Sequence, residues 1–238
     1  MKKPRPYHHG NLKPALLEAS LALIREIGPS AFTLREVARR AGVSHNAPYR
    51  HFRDKEELLA AVAAQGFDRL TDSMRRAAAA AGSSPLERLR FSGRGYVQFA
   101  LRHPQHFTVM FDAPWHFEAY QEAHAAGERA FGTLVRCIQE CQSAGCLPKG
   151  DWQPLALLAW SMVHGIAKLA VGGRLPLSGA AQVLEFTDLA TEAIRLGMAN
   201  VADLHFPACR SLESHLSASF PRQRESTAVR RGPPLSRG

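Results

Sequence analysis

Apolar residues near the start of the chain recur at steps of three and four, as they do on one face of a helix. This first helix is predicted to end at Gly28-Pro29, because glycine suits the position after a helix and proline cannot continue its hydrogen bonds. Its apolar face consists of Leu12, Leu16, Ala19, Leu23 and Ile27.

Two short helices joined by a tight, glycine-containing turn are predicted next. Thr33 and Glu36 have the spacing of a capping box, in which the two residues satisfy each other's backbone N–H groups at a helix start. Ser44 is predicted to cap the second helix, which runs through about Phe52. The side chains of this second helix are polar, whereas a helix that only packs in a bundle would show an apolar face. They favour contact with DNA bases and phosphates.

The rest of the chain shows helical periodicity and no strand-like alternation as far as residue 198. Breaks that contain glycine or proline separate the helical stretches. The predicted helices cover residues 55–81, 85–102, 104–111, 115–143, 152–172 and 179–198.

Positive charge is concentrated at the two ends of the chain. Residues 1–55 hold eleven Lys and Arg against four Asp and Glu, whereas residues 56–200 hold thirteen against fourteen. Residues 201–238 hold six against three, which completes the net charge of +9. A basic N-terminal module on a near-neutral body is typical of a protein that meets a polyanion. A lysine-rich solvated surface, the alternative, would spread the charge over the whole chain.

Both ends lack helical periodicity. Residues 1–10 are predicted to be a flexible basic arm that either follows a DNA groove or serves as a solubilising tail. Residues 201–238 are rich in Ser, Pro, Arg and Gly. They are predicted to be disordered, since they cannot bury enough apolar surface to offset the entropy of ordering.

Several classes of protein are disfavoured. The N-terminus lacks the apolar stretch of a signal peptide, and no run approaches the roughly 18 apolar residues of a membrane span. Four cysteines in 238 residues are not a disulfide framework. A nucleophile elbow, a phosphate-binding glycine loop and paired catalytic carboxylates are missing from the sequence. We therefore expect a cytoplasmic protein that is not an enzyme and needs no cofactor.

The stretch T-L-R-E-V-A-R-R-A-G-V-S, followed by Y-R-H-F-R-D-K-E-E-L-L, resembles the DNA-binding domain of the TetR family of transcriptional regulators. The resemblance covers residues 11–60. It implies an all-α protein with a three-helix, helix-turn-helix DNA-binding domain at 11–55 and a larger helical effector-binding and dimerisation domain at 56–200. It also implies a sequence-specific regulator, more often a repressor, that responds to a small apolar ligand. A helical protein that binds nucleic acid without sequence preference is an alternative.

The resemblance also implies which residues contact DNA. Thr33 and Lys55 match positions that clamp phosphates. His45, Asn46 and Ala47 match the variable positions that set sequence preference, where asparagine can pair with adenine and an alanine methyl can touch thymine. The other predicted contacts, to the DNA backbone or to base edges, are Ser44, Tyr49 and His51, with Arg50 beside them.

Pro48 departs from the family pattern, which more often has leucine or isoleucine there. Proline is tolerated in the first turn of a helix, although it can shift where the helix starts. Single residues of the motif also have structural alternatives: Tyr49 could pack against Phe52 and Lys55, and His51 could be an ordinary surface histidine.

The last two predicted helices carry much small and apolar surface, which belongs either to the core or to a dimer interface. The resemblance favours an interface in which each subunit supplies two helices. DNA geometry favours it too, because two reading helices about 34 Å apart match successive major-groove faces of a near-palindromic operator. The residues assigned to the interface are Leu155, Leu158, Met162, Ile166, Leu184, Ala193 and Ile194.

Aromatic residues are concentrated between Tyr96 and Phe117. Pockets for small molecules are lined by apolar and aromatic groups with a few polar anchors, so we expect an effector site there, although such residues can also be plain core. Trp160 and His164 belong to a W-x-x-x-H-G sequence that resembles a pattern in one branch of the family's C-terminal domains. The predicted ligand-binding residues are Tyr96, Phe99, His103, Phe107, Phe111, Trp115 and His164.

Cys137 and Cys141 lie four residues apart on a predicted helix, and Cys146 follows its end. Such spacing can hold a soft metal or form a redox pair, which leaves a thiol- or metal-responsive regulator as a further alternative. The cysteines lack a nearby histidine or a second CxxC, and a free cysteine often serves as a small buried apolar residue. We therefore predict no metal site.

Overall fold

The computed structural model describes residues 12–116 and 119–199, and every regular element in that part of the chain is helical. The fold class is all-α, as predicted. Phe117, the predicted arm at 1–10 and the predicted tail at 201–238 lie outside the described residues. The α-helices of the described part are α1 (Leu12–Ile27), α2 (Leu34–Arg40), α3 (Lys55–Ala80), α4 (Pro85–Arg102), α5 (Pro104–Asp112), α6 (Gln121–Ser143), α7 (Gln153–Val171) and α8 (Gly179–Ala199).

The start of α2 confirms the predicted capping box. The Thr33 hydroxyl accepts a hydrogen bond from the Glu36 backbone N–H at 3.3 Å, and the Glu36 carboxylate accepts one from the Thr33 backbone N–H at 2.7 Å. The preceding helix ends where predicted, because Gly28 adopts a φ of 80°, which few residues other than glycine adopt. Local sequence therefore determines both ends of the α1–α2 connection.

The predicted α-helix from Ser44 to about Phe52 is wrong. Only Pro48–Arg50 form a regular element, a single turn of 3-10 helix. Proline has no backbone N–H, so residue 48 cannot make the α-helical bond to the Ser44 carbonyl. Instead, the Ala47 N–H donates to the Ser44 carbonyl at 2.9 Å, and the Arg50 N–H donates to the Ala47 carbonyl at 3.2 Å. Bonds between residues three apart produce this tighter turn.

α3 links the N-terminal module to the helical body. The Asp54 side chain accepts a hydrogen bond from the Glu57 backbone N–H at 2.8 Å, and the helix then runs for 26 residues. α4, α5 and α6 pack along α3, while α7 and α8 pack on α4. α3 and α4 approach closely at Gly95, where an added Cβ would lie 2.7 Å from the Ser73 carbonyl oxygen. These two helices form the centre of the body.

Most predicted helix boundaries in the body agree with the structure. α4 and α5 begin at Pro85 and Pro104, since proline suits the first helical turn. The predicted helix at 115–143 instead begins at Gln121. Before it, the Trp115 indole N–H donates to the Val109 carbonyl at 2.7 Å, which holds the chain back against the end of α5.

α7 is the one helix of the described part that is long and apolar enough, by length and composition, to cross a membrane. The sequence analysis did not anticipate a helix with these properties. Length and composition are weak evidence for a span, and α7 packs against α4 and α8 in the helical body. We interpret it as a bundle helix that is apolar both on its core side and on part of its exposed side.

Candidate nucleic-acid interface and effector site

Two buried side chains hold the reading segment, residues 44–51, against the N-terminal module. Pro48 is buried, and Phe52, directly after the segment, is only 2% exposed. Tyr49, between them, is 51% exposed. The segment thus presents polar side chains on a backbone fixed from beneath. Its exposed residues include Ser44, His45, Asn46, Arg50 and His51, and Ala47 is half-buried.

Three arginines of the module are uncommitted within the described part of the chain. Arg35 and Arg39 lie one turn apart on the exposed face of α2, and Arg50 lies in the reading segment. None of the three makes a side-chain hydrogen bond or a salt bridge with the described residues. Arg40 differs, because it donates to the Glu26 carboxylate at 2.8 Å. Unpaired guanidinium groups are suited to bind phosphate through two parallel N–H donors.

Thr33 and Lys55, the predicted phosphate clamps, already have internal partners. The Thr33 hydroxyl also donates to the Glu36 carboxylate at 2.9 Å, and this bond lowers the pKa of Glu36. The Lys55 ammonium donates to the Ser30 carbonyl at 2.7 Å and lies 4.6 Å from the centre of the Phe32 ring. Burial lowers the pKa of Lys55. An ammonium has three N–H donors, so Lys55 retains two, whereas the single donor of Thr33 is used.

Aromatic rings surround His164 in the body. We call Tyr96, Phe107, Phe111, Trp160 and His164 the His164 cluster. The Tyr96 hydroxyl lies 2.8 Å from the His164 Nδ1, and the ring centres of Phe111, Phe107 and Trp160 lie 4.6, 5.5 and 5.6 Å from that of His164. Burial lowers the pKa of His164 and raises the pKa of Tyr96, so both groups are neutral at neutral pH. The cluster unites four of the seven predicted ligand residues.

The other predicted ligand residues have ring contacts with residues outside the cluster. Phe99 is 1% exposed and packs on His103, with ring centres 5.5 Å apart. Trp115 packs on Tyr120 beyond the end of α5. Sequence reasoning did not assign Trp160 to the site, although its spacing of four from His164 places both on one side of α7.

A part-buried polar pair between α3 and α5 was also missed by the sequence analysis. The His106 Nε2 lies 2.9 Å from the Gln65 side-chain oxygen. Burial lowers the pKa of His106 to about 4, helped by the nearby positive charge of Arg69. The two residues are 41 positions apart, so no local pattern in the sequence could pair them.

α5 and the loop after it contact the first half of α3. The Glu56 carboxylate, directly after Lys55, accepts a hydrogen bond from the His116 backbone N–H at 2.7 Å. The same carboxylate oxygen lies 2.6 Å from the His116 Nδ1. Further along, Gly66 lies so near α5 that an added Cβ would be 2.5 Å from the Met110 sulfur. Since α5 also carries Phe107 and Phe111, a change in the cluster has a direct physical route to the start of α3.

α7 and α8 leave an apolar surface exposed. Leu189 is 67% exposed, Leu169 41% and Phe186 40%. We call these three residues, together with the exposed Ala193, the α7–α8 face. Among the predicted interface residues, Leu155 and Ile166 are instead only 5% and 6% exposed. Those that are half-buried are Leu158, Met162, Leu184 and Ile194.

The two helical cysteines are buried thiols. Cys141 is 0% exposed, and burial raises its pKa to about 12 and also raises the pKa of Cys137. A thiol that stays protonated is a poor nucleophile and a poor metal ligand. The described residues contain no group of three or more His, Cys, Asp or Glu that could hold a metal ion. These observations do not support a thiol- or metal-responsive regulator.

Comparisons of sequence agree with the geometry. Residues 16–62 match the model for bacterial regulatory proteins of the tetR family, and residues 89–194 match the model for the tetracyclin repressor-like C-terminal domain. The HTH-type transcriptional regulator BetI of Rhizobium meliloti (strain 1021) is 38% identical over 159 residues, 65% of this chain and 75% of that protein. The HTH-type transcriptional repressor KstR of Mycolicibacterium smegmatis (strain ATCC 700084 / mc(2)155) is 33% identical over 113 residues, 48% of this chain. The chain spans about half the length of KstR, with 53% of that protein covered.

Solved structures share the fold. A protein of unknown function from Rhodococcus sp. RHA1 has a TM-score of 0.71 and 38% identity, with 82% of this chain and 100% of that chain covered. The transcriptional regulator FadR from Bacillus subtilis, solved in complex with stearoyl-CoA, has a TM-score of 0.66 at 14% identity, with 77% and 98% covered. At that identity FadR shows a shared fold alone.

The fold and the N-terminal module define a helix-turn-helix transcriptional regulator. More specifically, the chain belongs to the TetR family, as its matches at both ends of the described part and the relative BetI show.

Proposed function

We propose that this protein is a cytoplasmic, sequence-specific repressor that binds double-stranded DNA as a homodimer and changes its DNA affinity when a small apolar ligand binds in the body. The observation that carries the proposal is the reading segment. Its exposed polar side chains stand on a backbone fixed by the buried Pro48 and Phe52. The unpaired Arg35 and Arg39 on the neighbouring helix supply charge for phosphates.

Base reading falls to the first half of the reading segment. His45, Asn46 and Ala47 precede the 3-10 turn, so they reach the major groove from a turn rather than from a helix. Asn46 is suited to pair with adenine through its amide, and the Ala47 methyl to contact thymine. Tyr49 and His51 lie close enough in sequence to contact the adjacent DNA backbone.

Phosphate binding falls mainly to cations that have donors to spare. Arg35, Arg39 and Arg50 have no internal hydrogen-bond partner in the described part of the chain. Lys55 retains two N–H donors beyond the one on Ser30. Thr33 would have to release the Glu36 carboxylate before its hydroxyl could donate to a phosphate.

The α7–α8 face supports the homodimer. An exposed apolar surface of this kind on a protein that also has a packed core is typical of a protein–protein interface. A two-fold dimer would bring two reading segments about 34 Å apart, which matches the half-sites of a near-palindromic operator. Phe186 and Leu189 are exposed enough to contribute to that dimer, whereas Leu155 and Ile166 stabilise the subunit itself.

The effector response is supported by the contacts between α5 and α3. A ligand among the rings of the His164 cluster would displace Phe107 or Phe111 and thereby move α5. The hydrogen bonds between His116 and Glu56 would carry that movement to the start of α3, beside Lys55. The spacing of two reading segments in the dimer would change, and DNA affinity with it.

Selection of bound fragments from a pool of genomic or random DNA tests the function. We expect the full-length protein to enrich an inverted repeat and to keep it under an excess of unrelated DNA. The double variant His45→Ala/Asn46→Ala is the matched control, because it keeps the charge of the module and should bind without enrichment of that repeat. A folded wild-type dimer that enriches no sequence, with and without cell extract as a source of ligand, would contradict the proposal. If an excess of unrelated DNA displaced the protein from the selected repeat, the binding would instead be non-specific.

A further inference from the structure

The polar side-chain atoms of the His164 cluster belong to Tyr96, Trp160 and His164. The Tyr96 hydroxyl lies 2.8 Å from the His164 Nδ1, its one hydrogen-bond partner in the described part of the chain. Tyr96 is only 3% exposed, so a hydroxyl that accepted from His164 would leave its own O–H buried without an acceptor. The Tyr96 O–H therefore donates to the His164 Nδ1.

This order of donors determines which nitrogen of His164 carries the proton. A ring nitrogen that accepts a hydrogen bond has no proton, so the neutral ring is protonated at Nε2. The Nε2 has no hydrogen-bond partner in the described part of the chain. It is also absent from the polar atoms of that part that are sealed from solvent without a partner. The cluster therefore presents the His164 Nε2–H as a donor that has no partner in the described part of the chain and can be reached.

The surroundings of this donor carry no uncommitted charge. Lys168 and Asp112 are the charged groups that act on His164, and they form a salt bridge with each other. The ring centres of Phe111 and Trp160 lie 4.6 and 5.6 Å from that of His164. A carboxylate or an amine that entered here would lose its hydration without gaining an opposite charge.

Two glycines next to ring-bearing residues have open space around them. On α7, Gly165 follows His164, and no atom outside its chain neighbours and its own helix backbone lies within 4 Å of the place where its Cβ would be. On α6, Gly132 follows Phe131 and is open in the same way, while Phe131 packs edge-on against Trp160 at 6.2 Å. α6 and α7 are thus not tightly packed at these two positions.

We propose that the effector is an uncharged, apolar molecule with a carbonyl or ether oxygen, that this oxygen accepts the hydrogen bond of the His164 Nε2–H, and that the apolar part packs on Phe111 and Trp160. The inference rests on the proposed function, because it names the class of ligand to which the regulator responds. It also assigns Tyr96 a positioning role, since its hydroxyl selects the tautomer that donates.

A pair of fluorescent probes tests the proposal on the full-length protein without DNA. One is 6-propionyl-2-(dimethylamino)naphthalene, an uncharged ketone whose emission moves to the red when its carbonyl accepts a hydrogen bond. The other is 1-anilinonaphthalene-8-sulfonate, an apolar anion of similar size. We expect the ketone to bind at least about tenfold more tightly than the anion, because the site offers a donor and no free cation.

Variants locate the donor. His164→Phe should weaken ketone binding about tenfold, the value of one net hydrogen bond, and should move the emission of the remaining bound probe to the blue. His164→Gln, which keeps an amide N–H near the Nε2 position, should retain part of the affinity. His51→Phe changes an exposed histidine of the reading segment, outside the body, and should leave both probes unaffected. Thermal unfolding checks that each variant is folded.

A spectrum of the wild-type protein labelled with ¹⁵N-histidine gives an independent readout of the tautomer. We expect the His164 proton on Nε2, and Tyr96→Phe should remove that preference. Any of four results would overturn the inference. They are a proton on the His164 Nδ1, equal affinity for the anion and the ketone, ketone binding that does not depend on His164, and no ketone binding up to the solubility limit of the ketone. These results are independent of DNA selection. If the protein selects an operator but gives any of these contrary results, this inference alone fails. If the probes and the spectrum behave as expected but the protein selects no DNA, the proposed function alone fails.

Discussion

The reading segment and the His164 cluster use similar side chains in opposite ways. The reading segment is anchored by the buried Pro48 and by the buried Phe52 that follows it. Its polar side chains face solvent without side-chain hydrogen bonds inside the described part of the chain. In the cluster, Tyr96 and His164 are bonded to each other among rings. Polar atoms of a histidine or tyrosine that remain free at the surface are thus suited to recognition of a polyanion. Polar atoms that are bonded to each other inside the protein shape an interior site.

The arginines of the helical body and those of the N-terminal module differ in the same way. On α4, Arg94 pairs with Asp188 of α8, and Arg90 lies 3.4 Å from the Glu192 carboxylate of the same helix. Such part-exposed pairs help to position α8, although each contributes only about 0–1 kcal/mol. On α2, Arg35 has no such partner in the described residues. These pairs of the body support the fold, whereas the unpaired arginines of the module are, in the proposed function, available for DNA phosphates.

The largest effect is expected where the reading segment is anchored. Phe52→Ala should lower the free energy of unfolding by about 3–5 kcal/mol, because the ring is almost fully buried and leaves a cavity. Operator binding should be lost with it. Urea unfolding followed by circular dichroism measures the change. Tyr49→Ala, at a side chain 51% exposed, should alter stability by no more than about 0.5 kcal/mol. Equal effects of the two substitutions would contradict the contrast between anchor and exposed face.

The α7–α8 face can be broken by a charge. Leu189→Glu should raise the dissociation constant of the dimer at least about 100-fold, or about 2.7 kcal/mol, since each copy would bury a carboxylate in the interface. Analytical ultracentrifugation over a range of concentrations measures it. Glu122→Gln, at an exposed position on α6, is the control and should leave the dimer intact. A dimer that tolerates Leu189→Glu would show that this face is not the interface.

A buried histidine of the body should make stability depend on pH. The pKa of His106 is lowered to about 4, so the unfolded chain binds a proton at a higher pH than the folded protein does. The contribution of neutral His106 to the free energy of unfolding is on the order of 1–3 kcal/mol. It is fully present above the pKa of the unfolded chain, about 6.5, and is lost as the pH falls from there towards 4. Denaturant unfolding at a series of pH values should show a shallower decline for His106→Gln than for the wild type. Identical slopes would count against the burial of a neutral His106.

The smallest effects are expected for single phosphate contacts. Arg50→Ala and Lys55→Ala should each weaken operator binding and reduce the slope of log affinity against log salt by about one. Lys55→Ala should also lower the free energy of unfolding by about 1 kcal/mol, because it removes the bond to Ser30. Lys149→Ala removes the same charge from an exposed position in the body and should leave the slope unchanged. Fluorescence anisotropy titrations at several salt concentrations measure the slope. An unchanged slope for Arg50→Ala or Lys55→Ala would show that the substituted residue does not contact a DNA phosphate.

Local signals account for the parts of the structure that could be predicted. The capping box of Thr33 and Glu36 and the prolines at 85 and 104 determine helix starts through bonds between near neighbours, so the sequence was enough. The helix expected from Ser44 failed because the missing N–H of Pro48 outweighs the serine cap. The helix expected from residue 115 failed because the indole of Trp115 bonds to a carbonyl of the preceding helix.

Tertiary contacts account for what could not be predicted. Leu155 and Leu189 look equally apolar in the sequence, and only the packing of α7 and α8 shows that the first is buried and the second exposed. The bond between Tyr96 and His164 joins residues 68 positions apart. The aromatic concentration in the sequence indicated a site, but neither its centre nor the free N–H donor of His164 follows from spacing.

In the proposed dimer, two reading segments, held together by the α7–α8 face, read one operator. The most direct measurement is a hydroxyl-radical footprint of the full-length protein on the sequence that it selects, with the stoichiometry of the complex measured alongside. We predict two chains per site, or an even multiple, and two protected patches related by a two-fold axis with centres about 34 Å, one helical turn, apart or a multiple of that spacing. One protected patch with one chain, or uniform protection that moves along the fragment, would contradict the account.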